Sequence, residues 1–434
     1  MFLSSILAMS PLYIYSLFKE IYFSCYASII VMMFLCSNSS VPIIFNWSME
    51  MGKFALWMII MMFWSSMLIN LKFSSQSKLM ISAGVVIYLF FSTSSIIVMY
   101  SMFELSLIPI LYIIYSQGLN PERIRAGMFL LIYTVMASIP LLYSLISISP
   151  KIYSLNMPLL SYSFEFSSFM AIGITLAFLV KMPLFLFHSW LPKAHVEAPV
   201  EGSVFLAAVM LKMGSFGLIK MMSIISWKSN ALFPLMIISL SLIGSIMSAV
   251  MILFTDDLKK MVALSSVSHM NFSIASIFLN KIISFKACMI VMISHGLSSM
   301  GLFFFVTDVY KSVGSRSLAI TKGLVSKSSF MTILSLLLWM GAMGLPPMIS
   351  FKGEFFSIST LLSLSMLTLI FIFLFMIISS SYSMMCFIYL AHSSHKSVGN
   401  IQFSLASGLK LVSCIIPMML LFFFSESICP QMVM

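Results

Sequence analysis

Apolar runs of about 20 residues follow one another along this sequence, separated by single charges and turn residues. Only 8% of its 434 residues are charged and 61% are hydrophobic, with a mean hydropathy of +1.11. A soluble domain has about 25% charged residues with which to cover its surface. A membrane-spanning helix needs about 20 apolar residues and connections commonly take about 2–8, which leaves room for roughly 14 spans. We therefore predict an all-α polytopic membrane protein and exclude a separate soluble nucleotide-binding or redox domain.

Cutting the apolar runs at charges and turn residues gives fourteen predicted spans. We expect the first run to remain as a span, because it lacks the basic leader and small-residue cleavage site of a targeting peptide. The predicted spans are 1–18, 21–36, 54–71, 79–96, 98–117, 126–148, 166–190, 202–222, 231–254, 261–279, 287–309, 329–358, 360–390 and 405–424.

The Lys and Arg content of successive loops supports this count, because positive residues concentrate on one side of a membrane. The bias persists along the chain and predicts both termini on the less basic side. The more basic side carries Lys19, Lys72, Lys78, Arg123, Arg125, Lys193, Lys259, Lys260, Lys311, Arg316, Lys322, Lys327 and Lys396. The other side carries Lys53, Lys151, Lys220, Lys228, Lys281 and Lys286.

Neither the net charge nor the cysteines indicate a nucleic-acid or metal site. The net charge is +11, but the 23 Lys and Arg residues are scattered and form no stripe that would follow a phosphate backbone. The cysteines show no Cys-x-x-Cys spacing, so we interpret them as small apolar packing residues rather than ligands. They are Cys25, Cys36, Cys288, Cys386, Cys414 and Cys429.

Three charged residues lie deep inside predicted spans. A charge at the bilayer centre costs about 2.5–3.5 kcal/mol, so each is a candidate functional residue. Glu104 is the only charge between Lys78 and Glu122, while Lys181 and Lys212 each lie within a long apolar run. A structural ion pair would explain two of them, but such pairs add little net stability.

Other ionisable residues in the spans have simpler interpretations. His269 and His295 are either relay groups or hydrogen-bonded contacts between helices, and the sequence leaves both interpretations open. Lys220 and Lys410 lie near span ends, where we expect their side chains to reach the interface by snorkelling.

Two segments combine a charge with a helix breaker at membrane depth. Pro183 follows Lys181 within the segment 181–192, and Pro346 and Pro347 precede Glu354 within 341–354. Proline interrupts helical hydrogen bonding, and unpaired backbone inside a bilayer is tolerated only where protein or a hydrated cavity surrounds it. One interrupted helix in each half is typical of transporters built from inverted repeats, with ion sites at the breaks.

Six motifs stand out along the chain. They are KMPLFLFHSWLPKAHVEAPVEGS (181–203), MFELSLIPI (102–110), LNPERIRAG (119–127), DLKKMVALSSVSHM (257–270), SHGLSSMGLF (294–303) and GLPPMISFKGE (344–354). Together they resemble one known family, subunit 4 of mitochondrial NADH dehydrogenase, an antiporter-like membrane subunit of respiratory complex I.

The resemblance implies one transmembrane domain, 1–434, with fourteen helices. Ten of them would form two inverted five-helix repeats, at about 79–222 and 231–390, flanked by 1–71 and 405–424. It also implies a proton relay. Its members would be Glu104 and Lys181 as a pair, Lys212 as a bridging lysine, His269 and His295 on the central axis, and Glu354 at the end of the path.

Lys352 departs from the family pattern, in which we expect a neutral residue such as Leu or Val. It stands two residues before Glu354, where a cation would favour the ionised carboxylate. We expect its side chain to snorkel away.

By resemblance, the chain translocates protons in the mitochondrial inner membrane, coupled to electron transfer from NADH to ubiquinone. It would hold no cofactor, since the flavin, iron-sulfur clusters and quinone site belong to other subunits, and its partners would be neighbouring antiporter-like subunits and lipids. Two alternatives stay open: a stand-alone cation/proton antiporter and a structural subunit without ion translocation.

Overall fold

The computed structural model describes residues 46–69, 75–117, 121–148, 168–225, 232–323, 328–392 and 405–425. Within these ranges the chain is helical and contains no β-strand, only isolated bridges such as that between Asp257 and Ser317. Seven described helical segments are long and apolar enough to cross a membrane, one of them the interrupted segment Ile96–Ser116, and four shorter apolar helices accompany them. The predicted all-α membrane class is confirmed.

The predicted spans from 54–71 onward each correspond to one helix or to a broken pair, and the spans 1–18 and 21–36 lie outside the described residues. The division into two repeats stays a prediction. The described helices are α1 (Asn46–Leu68), α2 (Ser75–Ser92), α3 (Ile96–Leu105), α4 (Leu107–Gln117), α5 (Arg123–Ile148), α6 (Ser168–Lys181), α7 (Trp190–Glu197), α8 (Val200–Ile224), α9 (Leu232–Leu253), α10 (Leu258–Ile277), α11 (Ile282–Val313), α12 (Leu318–Thr321), α13 (Ser329–Met343), α14 (Ile349–Leu362), α15 (Leu367–His392) and α16 (Leu405–Phe423).

Helices α8, α10 and α11 form the centre of the molecule. Every residue of α10 except Lys260 is buried, and the spanning parts of α8 and α11 are buried throughout. Outer helices such as α5 and α15 instead expose apolar side chains, with Met136 66% and Ile370 56% exposed. An apolar face of this extent suits lipid or a neighbouring apolar subunit. The polar candidates therefore lie in the interior, away from lipid.

The first helix break follows Lys181, at the position predicted from Pro183. Proline has no N–H, so α6 ends at Lys181, and after a 3-10 turn at Phe185–Phe187 the chain resumes an α-helix at Trp190. Two carbonyl groups of the last turn of α6 find new donors. Leu184 N donates to Leu179 O (3.1 Å), and Trp190 Nε1 donates to Val180 O (3.1 Å).

Asn271 of α10 completes the pairing of this break. Its Nδ2 donates to Pro183 O (2.9 Å), and its Oδ1 accepts from Phe185 N (3.1 Å). A buried polar group left unpaired costs about 1–3 kcal/mol, so the amide stabilises the interrupted backbone at both of its edges. It also fixes the break against α10, two residues after His269.

The second break separates α13 from α14, at the prolines predicted to interrupt the span 329–358. α13 ends at Met343 and is capped by Gly344, whose φ of +70° is costly for residues with a side chain and whose N–H donates to Met340 O. Leu345 N donates to the same carbonyl at 3.2 Å, and α14 begins at Ile349. Glu354 thus lies in the second turn of the helix that follows the break.

Candidate functional site: a buried polar axis

Lys181 is the last residue of α6, and its side chain is 1% exposed. Its Nζ donates to Phe103 O at 3.0 Å and to Ser106 Oγ at 3.1 Å, and lies 3.5 Å from the centre of the Phe103 ring. Both oxygens belong to the junction of α3 and α4, where the predicted span 98–117 is interrupted at Ser106. The lysine of one helix break is therefore held by the junction of two other helices.

Glu104 lies beside this junction on α3. Its Oε1 is buried and has no hydrogen-bond partner among the described residues, while Ser138 of α5 is a hydrogen-bonding neighbour of the carboxyl group. Glu104 and Lys181 interact electrostatically, but within the described chain they form no direct ion pair. Glu104 and Lys181, which the sequence suggested as a pair, are therefore electrostatic neighbours that do not form an ion pair in this structure.

Lys212 lies in the middle of α8 and is fully buried. The turn before it, Leu206–Met210, is a π-helix, in which a carbonyl is displaced from the regular α-helical register. The Lys212 ammonium donates to Ala207 O in that turn and approaches His295 Nδ1 of α11 to 3.1 Å. Lys212 therefore has one partner in its own helix and one in the next.

His269 connects His295 to Glu354. The two imidazole ring centres are 6.2 Å apart, and His269 Nδ1 lies 3.3 Å from Glu354 Oε1. The other ring nitrogen, Nε2, is 3.1 Å from the hydroxyl oxygen of Tyr382 on α15. The sequence did not single out Tyr382, because a tyrosine in an apolar run gives no sign of which histidine its hydroxyl meets.

A polar cavity adjoins this row of side chains. Its volume is about 20 Å³, which is enough space for a water molecule among polar partners. His269, His295 and Glu354 line it with serines of α10, α11 and α14, and the full lining is Ser265, His269, Val291, Ser294, His295, Ser298, Ser299, Leu302, Gly341, Ala342, Ser350 and Glu354.

The structure brings four of the six sequence-predicted site residues into one cluster, Lys212–His295–His269–Glu354. The other two, Glu104 and Lys181, form a second cluster. Gly214, two residues after Lys212, joins them by close helix packing. A Cβ at Gly214 would lie 2.9 Å from Met182 N and 3.2 Å from the carbonyl carbon of Lys181, so only glycine allows α8 to approach the first break this closely.

No group of three or more His, Cys, Asp or Glu side chains is placed to hold a metal ion in the described part of the chain. Cys386 and Cys414 are buried on α15 and α16. The side chains of the axis are amines, imidazoles, carboxylates and hydroxyls, all of which exchange protons.

The family described as NADH:quinone oxidoreductase/Mrp antiporter, TM, matches residues 93–380, which include all six site residues. The chain belongs to this family. Its relatives include NADH-ubiquinone oxidoreductase chain 4 of Aedes aegypti, 38% identical over 284 residues, and that of Ceratitis capitata, 34% identical over 376 residues. The matches cover 64% and 84% of this chain, and they span 63% of the Aedes aegypti protein and 83% of the Ceratitis capitata protein.

Solved structures share the fold at lower identity. A chain of respiratory complex I from Thermus thermophilus with bound NADH superposes with a TM-score of 0.79 and 22% identity, covering 87% of this chain and 83% of that one. A chain of the Mrp complex from Dietzia superposes with a TM-score of 0.76 and 19% identity, covering 87% and 44%.

Lys352 is turned away from the polar axis, as snorkelling requires. Its Nζ donates to Ser425 Oγ at 2.9 Å and lies 4.7 Å from the centre of the Phe422 ring, both at the C-terminal end of α16. The cation that departs from the expected pattern of this family therefore has its partners at a helix end rather than at Glu354.

Gly344 positions Glu354, and an alanine there tests this contact. A Cβ at Gly344 would overlap the Glu354 carboxyl group, whereas a Cβ at Gly314, which also has a positive φ (+76°), would meet nothing within 4 Å. Both Gly→Ala changes carry a backbone cost of about 1–2 kcal/mol, but only Gly344→Ala must also displace the carboxylate. We predict a larger fall in the heat-aggregation midpoint of the chain, measured in membrane extracts, for Gly344→Ala. Equal shifts would contradict the contact.

Proposed function

We propose that this chain is a proton-translocating membrane subunit of respiratory complex I, in which electron transfer from NADH to ubiquinone drives proton pumping. The observation that carries the proposal is the contiguous row Lys212–His295–His269–Glu354, buried in a family that includes NADH-ubiquinone oxidoreductase chain 4. A structural scaffold has no need of these costly charges.

In the proposed mechanism, Glu104 and Lys181 are a switchable pair. Two unit charges about 4 Å apart attract by about 4 kcal/mol at an effective dielectric constant near 20. Moving one elementary charge through 100 mV costs about 2.3 kcal/mol. The free energy released when the pair closes, or needed when it opens, is therefore comparable with the free energy needed to move one proton across the membrane. In the described state Phe103 O and Ser106 Oγ hold the ammonium, which represents the open arrangement of the pair.

The proton then passes from Lys212 through His295 and His269 to Glu354. Lys212 contacts His295, and His269 contacts Glu354. Between the two histidines, the polar cavity has space for a bridging water. The hydroxyl of Tyr382 lies 3.1 Å from the second ring nitrogen of His269, which keeps the first ring nitrogen directed at Glu354.

The chain itself supplies no redox chemistry in this proposal. The flavin, iron-sulfur clusters and quinone site belong to other subunits, and the partners are neighbouring antiporter-like subunits, lipids and relay water. The exposed apolar faces of α5 and α15 suit such neighbours within the mitochondrial inner membrane. Both termini lie on the less basic side, facing the intermembrane space.

Replacement of Lys181 tests the function. In the assembled complex, Lys181→Ala removes the cation that Glu104 attracts, and we expect NADH-driven proton pumping to fall by about 100-fold or to the leak rate, as for loss of a positioned proton carrier.

Lys220→Met is the matched control. Lys220 is a partly buried lysine that lies near a span end and donates to Thr93 O at 2.9 Å. Pumping should persist in this variant. Unchanged proton-to-electron stoichiometry and turnover in Lys181→Ala would refute the assignment.

A stand-alone cation/proton antiporter is the second candidate, favoured by the structural likeness to the Mrp complex chain. Native gel fractionation of detergent-solubilised membranes separates the two. Our proposal predicts that the chain migrates with NADH dehydrogenase activity in a very large assembly, because its apolar outer faces need partners. Migration as a monomer or small oligomer, apart from that activity, would favour the antiporter.

A further inference from the structure

His195 is the most unusual buried polar residue outside the proposed relay. It lies in the last turn of α7 and is 0% exposed, and neither ring nitrogen has a hydrogen-bond partner among the described residues. Its ring is stacked on Phe303 of α11, with ring centres 4.8 Å apart and planes 8° apart. A buried imidazole without partners is costly and marks a place where a transient partner is expected.

On one side of His195, two cations close the C-terminal end of α7. Arg316 Nη1 donates to Val196 O and Lys259 Nζ donates to Ala198 O, each at 3.1 Å. Such cations are favourable at a helix C-terminus, where carbonyl groups lack intrahelical donors. Both belong to segments that the loop charges predict on the more basic side of the membrane.

The two segments that carry Lys259 and Arg316 are also hydrogen-bonded to each other. Leu258 N donates to Arg316 O at 3.1 Å and Leu318 N donates to Asp256 O at 2.8 Å, on either side of the bridge between Asp257 and Ser317. Lys259 and Arg316 therefore belong to two segments that are hydrogen-bonded to each other. Glu197 is an acidic neighbour of Lys259.

The relay is also within electrostatic range of His195. The charges of Lys259 and Lys212 both disfavour a proton on the imidazole, and His195 is in turn an electrostatic neighbour of His295, so a proton on this ring is passed on rather than held. Lys212 in turn contacts His295 at 3.1 Å. The unpaired ring thus has as electrostatic neighbours both Lys259, at the end of α7, and Lys212, the first group of the row that ends at Glu354.

We propose that His195 is the proton carrier that connects the more basic side of the membrane to Lys212, an inference that rests on the proposed function. A proton from surface water binds one ring nitrogen and forms the imidazolium. The other ring N–H then releases its proton, through water, to the neutral amine of Lys212. The ring returns to neutral imidazole, and Lys212 becomes an ammonium beside His295.

Two replacements separate a proton carrier from a packing residue. His195→Phe keeps an aromatic ring against Phe303, and His195→Gln keeps hydrogen-bonding groups, but neither side chain titrates. We expect both assembled complexes to lose NADH-driven pumping by about 100-fold or to the leak rate. His188→Gln is the matched control on the same broken segment, where His188 bonds to Phe185 O, and it should pump normally.

A second measurement needs no variant. Histidine C2–H exchange in D2O, followed by mass spectrometry of the intact complex, reports whether water reaches a buried ring. We expect deuterium at C2 of His195. Absence of exchange, or normal stoichiometry and turnover in the assembled His195→Phe or His195→Gln complex, overturns the inference. If Lys181→Ala abolishes pumping in the same assay, the proposed function stands and only the role of His195 fails.

Discussion

Inside a bilayer no water is at hand to pair a backbone group or to solvate a charge, and the arrangement of this chain follows from that constraint. At every interruption of a helix, the freed backbone groups must find other partners within the protein. At the first break, Asn271 and Trp190 provide the missing partners for three backbone groups. The repair fixes the end of α6, and with it Lys181, against the central helices.

The same constraint places the charges. Lys181 is held by oxygens of the α3–α4 junction, Lys212 by a π-turn carbonyl and His295, and Glu354 by His269. Because each buried charge must have a neighbour, the neighbours form a row, and a row of titratable groups is what proton transfer requires. The structural need for partners and the proposed path thus have one physical origin. The packing of Gly214 against the first break brings the cluster of Glu104 and Lys181 close to the helix that carries Lys212.

Hydropathy predicted much of this fold. The spans from 54–71 onward and both proline breaks follow from composition and chain-local chemistry, and Lys181, Lys212 and Glu354 were identified because charge is rare in such runs. The partners were not predictable in this way. Asn271 meets Pro183 and His269 meets Tyr382 across 88 and 113 residues, and no local pattern encodes such contacts. The π-turn before Lys212 and the unpaired ring of His195 likewise depend on helix packing, which the residues around them in the sequence do not reveal.

His269 is the residue that tests the proposed path most directly, because among the described side chains its ring lies between His295 and Glu354. The direct measurement is the proton-to-electron stoichiometry and NADH turnover of an assembled His269→Gln complex, reconstituted in sealed vesicles. Glutamine keeps hydrogen-bonding groups near Glu354 and Tyr382 but does not carry a proton. A relay through His269 predicts a fall in stoichiometry or turnover toward the leak rate, whereas wild-type values for both would contradict it.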